Sequence, residues 1–319
     1  LTDPRNGGAL DVLRLWIPKG WAFEGGIRWK IAGKNPADVT RGDLASPAVI
    51  AFRVVAPDRS AFFEVFPEER YADTSRMPAA AMFPPGSDYM GSIAWPPLDP
   101  HRYVTQLLMR RARADVTGAR VVDVRDSEAL ARIYMDEANQ LNRWLGVTGV
   151  ATTVRAGATT VEYARGGVLW RERFFVALTY FDMPGMTLWW PKVAWSIAAP
   201  ADRLEALTPS LLSCVYSVRF QPVWSLLYLR LVNENARGIA VVDDAIARID
   251  AEIAASRART TAQINSDFQP LLMPYVTAKG PDGMEAYVPT GSPVFFNPAT
   301  NEYSVDPKFD GEPGWTKGK

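Results

Sequence analysis

One imidazole and one thiol bound the side-chain chemistry this chain can do. His101 is the only histidine among 319 residues, and Cys214 is the only cysteine. A serine–histidine–acid triad would have to use His101, yet the sequence holds no Gly-x-Ser-x-Gly elbow and no Ser-x-x-Lys. A single histidine excludes a histidine-rich metal site, and a single cysteine excludes an intrachain disulfide framework or a thiolate cluster. The carboxylate pairs Asp123/Asp126 and Asp243/Asp244 have the chemistry to hold a hard cation or to move a proton. The second pair reads as the solvated flank of a helix. Asp282 and Glu285 flank Gly283 without the spacing of a calcium-binding loop. Gly25-Gly26 and Gly166-Gly167 do not open helices in a dinucleotide pattern and read as turn glycines. No residue is therefore assigned a catalytic, cofactor-binding or metal-binding role. His101 reads as a loop residue satisfied by neighbouring backbone, and Cys214 as an inert buried thiol among Leu212, Val215 and Tyr216.

Tryptophan is the enriched element, with 11 in the chain. Trp189 and Trp190 are adjacent, and successive strand side chains face opposite ways, so one sheet face cannot bury both. One of them is expected to meet an added layer of the same chain, a partner protein or a glycan. Trp95 and Trp315 sit in segments without periodicity. These four, Trp95, Trp189, Trp190 and Trp315, are the expected partner-binding residues. Arg110, Arg111 and Arg113 form a short basic group that reads as a solvated face. Lys plus Arg equals Asp plus Glu at 35 each, so no global field attracts nucleic acid.

The elements that position these residues are strand-rich. Val12 to Ile17 alternates and stops at Pro18-Lys19-Gly20, and Gly25-Gly26 suggests a hairpin or a bulged strand. Ala48 to Val55 and Ala61 to Phe66 read as an antiparallel pair. Residues 71 to 100 carry six prolines, three methionines and little periodicity, and read as a long excursion ordered only by packing. A short strand around Arg120 to Val124 precedes a helix capped by Ser127 and stopped by Gly146. The centre of the chain runs from Val161 to Phe220: strands on either side of Gly166-Gly167, a turn at Asp182 to Gly185, a tryptophan-rich strand, a helix opened by Pro200, and a return strand at 215–220. Beyond it, Ile239, Val242, Ile246, Ile249 and Ile253 step by three and four, the stripe of a long C-terminal helix. A hairpin is expected at 293–305 and an extended tail after Asp306. No apolar run approaches the roughly 20 residues needed to span a bilayer. No charged and apolar leader precedes Leu1, which either removal of a signal peptide or a late start would explain.

Ile17-Pro18-Lys19-Gly20-Trp21 resembles the strand-ending proline-x-glycine-tryptophan turn of the PsbP-like family, the extrinsic proteins of photosystem II and their bacterial relatives. The later order is similar too: Tyr163 before Gly166-Gly167, long strands, then Ala199-Pro200 opening a helix that delivers Ser217 to Phe220. The likeness covers roughly residues 10–70 and 160–220. It departs through the proline-rich excursion and about 100 added residues. It implies an α+β sandwich at residues 1–221, an antiparallel sheet with packed helices, to which the residue pattern adds a long helix and a β-hairpin at 222–319. It also implies a non-catalytic accessory or binding subunit, and the expectation for the whole chain is an extracytoplasmic accessory or docking subunit of a larger membrane-associated assembly, with protein subunits as partners. The alternatives from other classes are a secreted hydrolase with a carboxylate or serine site, and a tryptophan-based carbohydrate-binding module.

Overall fold

A computed structural model of the chain describes residues 1–4, 10–30, 46–78, 80–145, 150–237, 275–279, 285–289, 294–297, 299–300, 302–304 and 315–318. The expected long helix on the 239–253 stripe lies outside the described residues, as does Asp243/Asp244.

The three longest strands are β10 (Ala151–Arg165), β11 (Val168–Met183) and β12 (Met186–Pro200). Val, Thr and aromatic residues dominate them, the types that fit a pleated, buried surface. Gly166 and Gly167 close the first hairpin, with φ of 57° and 77°, the left-handed pair a two-residue loop requires. Pro184-Gly185 closes the second. Around these strands a ten-stranded sheet runs in the order β3 (Ala22–Trp29), β4 (Ala48–Val55), β5 (Phe62–Val65), β12, β11, β10 and β9 (Thr117–Asp126). The excursion adds β6 (Tyr71–Asp73), β7 (Asp88–Tyr89) and β8 (Ser92–Ala94) to the same sheet, with β6 pairing on β12 and parallel to β8.

The expected α+β sandwich, an antiparallel sheet with packed helices, is thereby corrected. Of the described residues 47% are strand and 26% helix, and the sheet is mixed and curled into a half-barrel. The physical reason lies in the hairpins. Strands of 15 or 16 residues twist strongly, and a sheet of this many strands curls rather than staying open. The excursion extends it instead of looping away.

Both faces of the sheet are covered. Tyr163, Phe174, Val176 and Leu178 pack on one face beneath a helix at residues 100–112, here α1. Asp99 caps α1 by accepting from the Arg102 amide, and its middle turn, Val104–Leu108, is a π-helix. On the other face, Phe175, Ala177 and Ile197 pack with Leu130 of α2 (Glu128–Leu145) and with Leu204, Leu211 and Leu212 of α3 (Leu204–Ser217). Burying one such Leu or Phe stabilises by about 2–3 kcal/mol. The expected return strand at 215–220 is mostly helix: α3 continues to Ser217, and only Arg219–Phe220 pairs, with Leu13–Arg14 rather than with the main sheet.

At the β3 edge, α4 (Pro222–Arg237) sets Trp224 and Tyr228 against Trp29. The buried Asp3 carboxylate accepts from both indoles, Trp29 Nε1 at 3.0 Å and Trp224 Nε1 at 3.1 Å. The hairpin expected at 293–305 forms as Phe295–Asn297 with Glu302–Ser304.

Gly25-Gly26 neither turns nor bulges. β3 runs through it in unbroken register from Ala22–Val55 to Trp29–Ala48. Gly25 has φ of 119°, and a Cβ there would lie 2.4 Å from the Ala51 carbonyl oxygen. Gly25→Ala is therefore expected to lower stability by at least ~2 kcal/mol, as read from a denaturant midpoint. Gly86→Ala, with open space around it, should cost less.

Candidate functional site

Three groupings of side chains carry chemical potential. The first sits where α1 ends. Arg113 does not share the solvated face expected for it with Arg110 and Arg111: it is 3% exposed. Its Nε donates to Glu172 Oε2 at 2.8 Å, and one terminal nitrogen donates to Glu172 Oε1 at 2.6 Å and to Glu64 Oε2 at 2.5 Å. Tyr163 Oη donates to Glu172 Oε2 at 2.7 Å and Ser196 Oγ to Glu172 Oε1 at 2.5 Å. Arg53 donates to Glu64 Oε2 at 2.7 Å. Burial disfavours the charged guanidinium, but the carboxylates of Glu172 and then Glu64 outweigh it and raise the Arg113 pKa. Burial, followed by the Glu172 charge, raises the Tyr163 pKa as well. Each Glu172 oxygen already accepts two hydrogen bonds, so Glu172 has no lone pair left to direct at a substrate. Its chemistry is cohesion. One sequence signal pointed to it: Glu172 occupies an inward position between Trp170 and Phe174 on an otherwise apolar face.

The second grouping contains His101, in the first turn of α1 rather than in a loop. Its Nε2 lies 2.9 Å from Asp126 Oδ1 and its Nδ1 lies 2.8 Å from Thr159 Oγ1. A carboxylate only accepts, so Nε2–H donates to Asp126, and in the tautomer this selects Nδ1 is the acceptor for the Thr159 hydroxyl. Hydroxyl, imidazole and carboxylate thus follow the order of a hydrolytic triad. Thr159 itself is 1% exposed, however, which keeps its oxygen away from an external carbonyl. The ring lies against Gly157, where a Cβ would be 3.0 Å from His101 Cε1 and 2.9 Å from the Arg125 carbonyl oxygen. Glycine inside a strand marks such a close approach. Asp123 and Asp126 do not converge: they stand opposite Thr160 and Gly157, on opposite faces of β9, and Asp123 pairs with Arg125 at 2.9 Å.

The third grouping is aromatic and thioether. Trp189 is fully buried, stacks on Tyr71 at 4.2 Å and donates through Nε1 to the Trp95 carbonyl at 2.9 Å. Trp95 is half-buried on the same core. Trp190 points the other way, half-buried, with the Arg70 guanidinium 4.8 Å above its ring. Trp315 is half-buried beside Lys19 Nζ at 5.6 Å. These four do not meet in one place: Trp95, Trp189 and Trp190 belong to one region of the sheet, and Trp315 precedes a short strand on the Phe295–Phe296 hairpin. Near the β11–β12 turn the methionine-bearing excursion meets two methionines of the turn itself, a junction the sequence pattern does not reveal. Met183 and Met186 flank that turn, and the Met186 sulfur lies 4.0 Å from Tyr89 Oη. Tyr89 meets Phe83 edge-on at 5.0 Å, and Arg76 ties the excursion to Asp182 and Thr187. Met82 and Met90 of the excursion are 73% and 53% exposed.

Among the described residues no group of three His, Cys, Asp or Glu is placed to hold a metal ion, and no helix is long and apolar enough to cross a membrane. A hollow of about 400 Å³ near the N-terminus is lined by Asp11, Arg14, Phe23 and Thr300, with Arg14 already bonded to Asp11.

No protein-family model and no curated protein matches the chain. Among solved structures, a Pseudomonas aeruginosa protein of unknown function is similar at 13% identity and a TM-score of 0.22, over 66% of this chain and 99% of that one. A likeness this loose carries no argument about fold or role, and it does not bear on the PsbP-like resemblance.

Arg113→Ala leaves Glu172 buried without its cation, and is expected to destabilise by about 3–5 kcal/mol in equilibrium unfolding. The acid limb of stability should carry a second signature. Hydrogen bonds from Arg171 and Arg120 hold the Glu162 carboxyl below its ordinary value of 4.5. A depressed pKa gives stabilisation that is complete above pH ~5.5 and fades as the pH falls through the folded-state value. The difference between wild type and Glu162→Gln should therefore be constant near neutrality and shrink below pH ~4. A difference that grows on acidification would contradict the assignment.

Proposed function

We propose that the protein is a non-catalytic accessory subunit that docks onto a larger assembly through the methionine-rich end of its sheet. The observation that carries this reading is the surface at residues 77–90 and 183–186. Five of the nine methionines fall there: Met77, Met82, Met90, Met183 and Met186. Met82 is the most exposed large apolar side chain among the described residues. Met90 is held at φ of 51° in the β7–β8 turn, a conformation that usually falls to Asn or Gly. Strain that presents an apolar side chain to water stabilises nothing within the monomer, whereas flexible thioethers adapt well to a partner surface. The excursion does not use up its apolar groups internally, which supports partner contact there. An extracytoplasmic location and a membrane-associated assembly are part of the proposal and rest on the PsbP-like resemblance.

The test is site-specific photo-crosslinking in the native host. A photoreactive residue at position 82 or 90 should give an adduct with one and the same partner protein, and a probe at the exposed Asp202, on a different surface, should not. Met82→Glu combined with Met90→Glu should reduce co-purification of that partner at least tenfold while leaving the melting temperature within a few degrees. Adducts that are equal at 82, 90 and 202, or absent from all three, would overturn the proposal.

A further inference from the structure

β9 closes the sheet on one side, and among the described residues no strand pairs with its outer edge. The opposite edge strand, β3, is packed by α4, so the two edges are treated differently. Val121, Val122 and Val124 of β9 are 45%, 41% and 51% exposed. An exposed strand edge bearing valines is a template for pairing with another chain.

β9 has two halves. Its first half is interrupted: Val161 faces Val121 while Thr160 faces Asp123, which leaves Val122 as an extra residue, and a second irregularity lies between Arg120 and Thr117. Gly118 there has φ of 64°. Its second half, Asp123 to Asp126, runs in unbroken register against Thr160 to Gly157. Bulges blunt the first half for pairing and leave the second regular.

We propose that this regular half is the seam of a two-fold symmetric dimer, antiparallel and centred on Val124. A two-fold axis through Val124 sets it against Val124 of the second copy and places Asp123 opposite Arg125 of that copy, twice by symmetry. Asp123 and Arg125 lie on the same face of β9, opposite Thr160 and Ala158, so the pairing respects the pleat. They already bond within one chain at 2.9 Å and keep side-chain exposures of 43% and 54%. Two copies close a ring of four alternating charges around the axis. Neighbouring self-pairing registers fail this test, since centring on Asp123 opposes two carboxylates and centring on Arg125 opposes two guanidiniums. A second copy fits the edge because its charges and its valine are self-complementary in this one register. The short regular stretch makes the interface small, so the dimer is concentration-dependent, and two-fold closure leaves no edge of this kind for further growth.

The experiment uses the full chain. Val124→Cys should form a covalent dimer under mild oxidation, because directly opposed Cβ atoms lie ~4.5–5.5 Å apart. Val121→Cys, whose symmetry mate would be roughly 20 Å away at 3.3 Å per residue, should not. The native Cys214 is buried and does not compete. In sedimentation velocity Asp123→Arg should weaken the dimer at least tenfold, and adding Arg125→Asp should restore it. Circular dichroism checks that these substitutions at solvent-accessible positions leave the fold unchanged. A wild type that is monomeric up to 100-fold above the range tested for crosslinking, equal crosslinking at 121 and 124, or a charge swap that fails to restore the dimer would each overturn the proposal.

Discussion

Arg113 and Glu172 form a bidentate ion pair with neither partner more than 3% exposed, and the placement of α1 on the sheet depends on it. Withdrawing two charges from water costs several kcal/mol per ion and is offset only when geometry and hydrogen bonding are complete. Here they are complete, because Tyr163 and Ser196 fill the remaining positions on Glu172. The donors and acceptors come from the end of α1 and from β4, β5, β10, β11 and β12. Six elements must therefore be in one arrangement before the knot closes. The apolar residues around it supply most of the stabilisation, since Tyr163, Phe174 and Leu178 are each fully buried. We read the knot as selecting the arrangement in which that burial occurs.

His101 does for the first turn of α1 what Arg113 does for its end. The imidazole bridges Thr159 on β10 and Asp126 on β9 and lies against Gly157. α1 is thus pinned at two points, 12 residues apart in sequence, and its π-helical turn at Val104–Leu108 falls between them. A π turn accommodates an extra residue within a helix of given length. The same accounting separates this imidazole from a hydrolytic base: its hydroxyl partner is buried, and its carboxylate partner holds a helix to a sheet edge.

The two ion-pair and imidazole groupings are closed on themselves, and the two surfaces proposed to meet other molecules are those where the sheet runs out. At the β11–β12 turn the excursion leaves Met82 and Met90 in water. At the outer edge of β9, valines and alternating charges stand, among the described residues, without a further strand beside them. The first surface is adaptable and the second is self-complementary, which suits a heterologous partner and a second copy respectively.

Much of the local structure was legible in the residues. The two glycines at 166 and 167, the β-branched and aromatic runs beside them, Ser127 before α2 and Pro222 at the start of α4 each act over a few positions, and each produced the element its chemistry favours. Periodicity also placed Trp189 and Trp190 on opposite faces. What only the tertiary structure decided is long-range. Whether strands of 15 or 16 residues stay flat enough for an α+β sandwich or curl into a half-barrel depends on summed twist across the sheet, which no window of residues contains. Arg113 and Glu172 are 59 residues apart and His101 and Thr159 are 58 apart, so their types declare a charge and an imidazole but not their partners. Gly25 looks like a turn in one dimension and proves to be a strand position where the β4 backbone leaves no room for a Cβ. The hydrophobic pattern of a strand records which face it buries, and pairing across the sheet determines what meets it there.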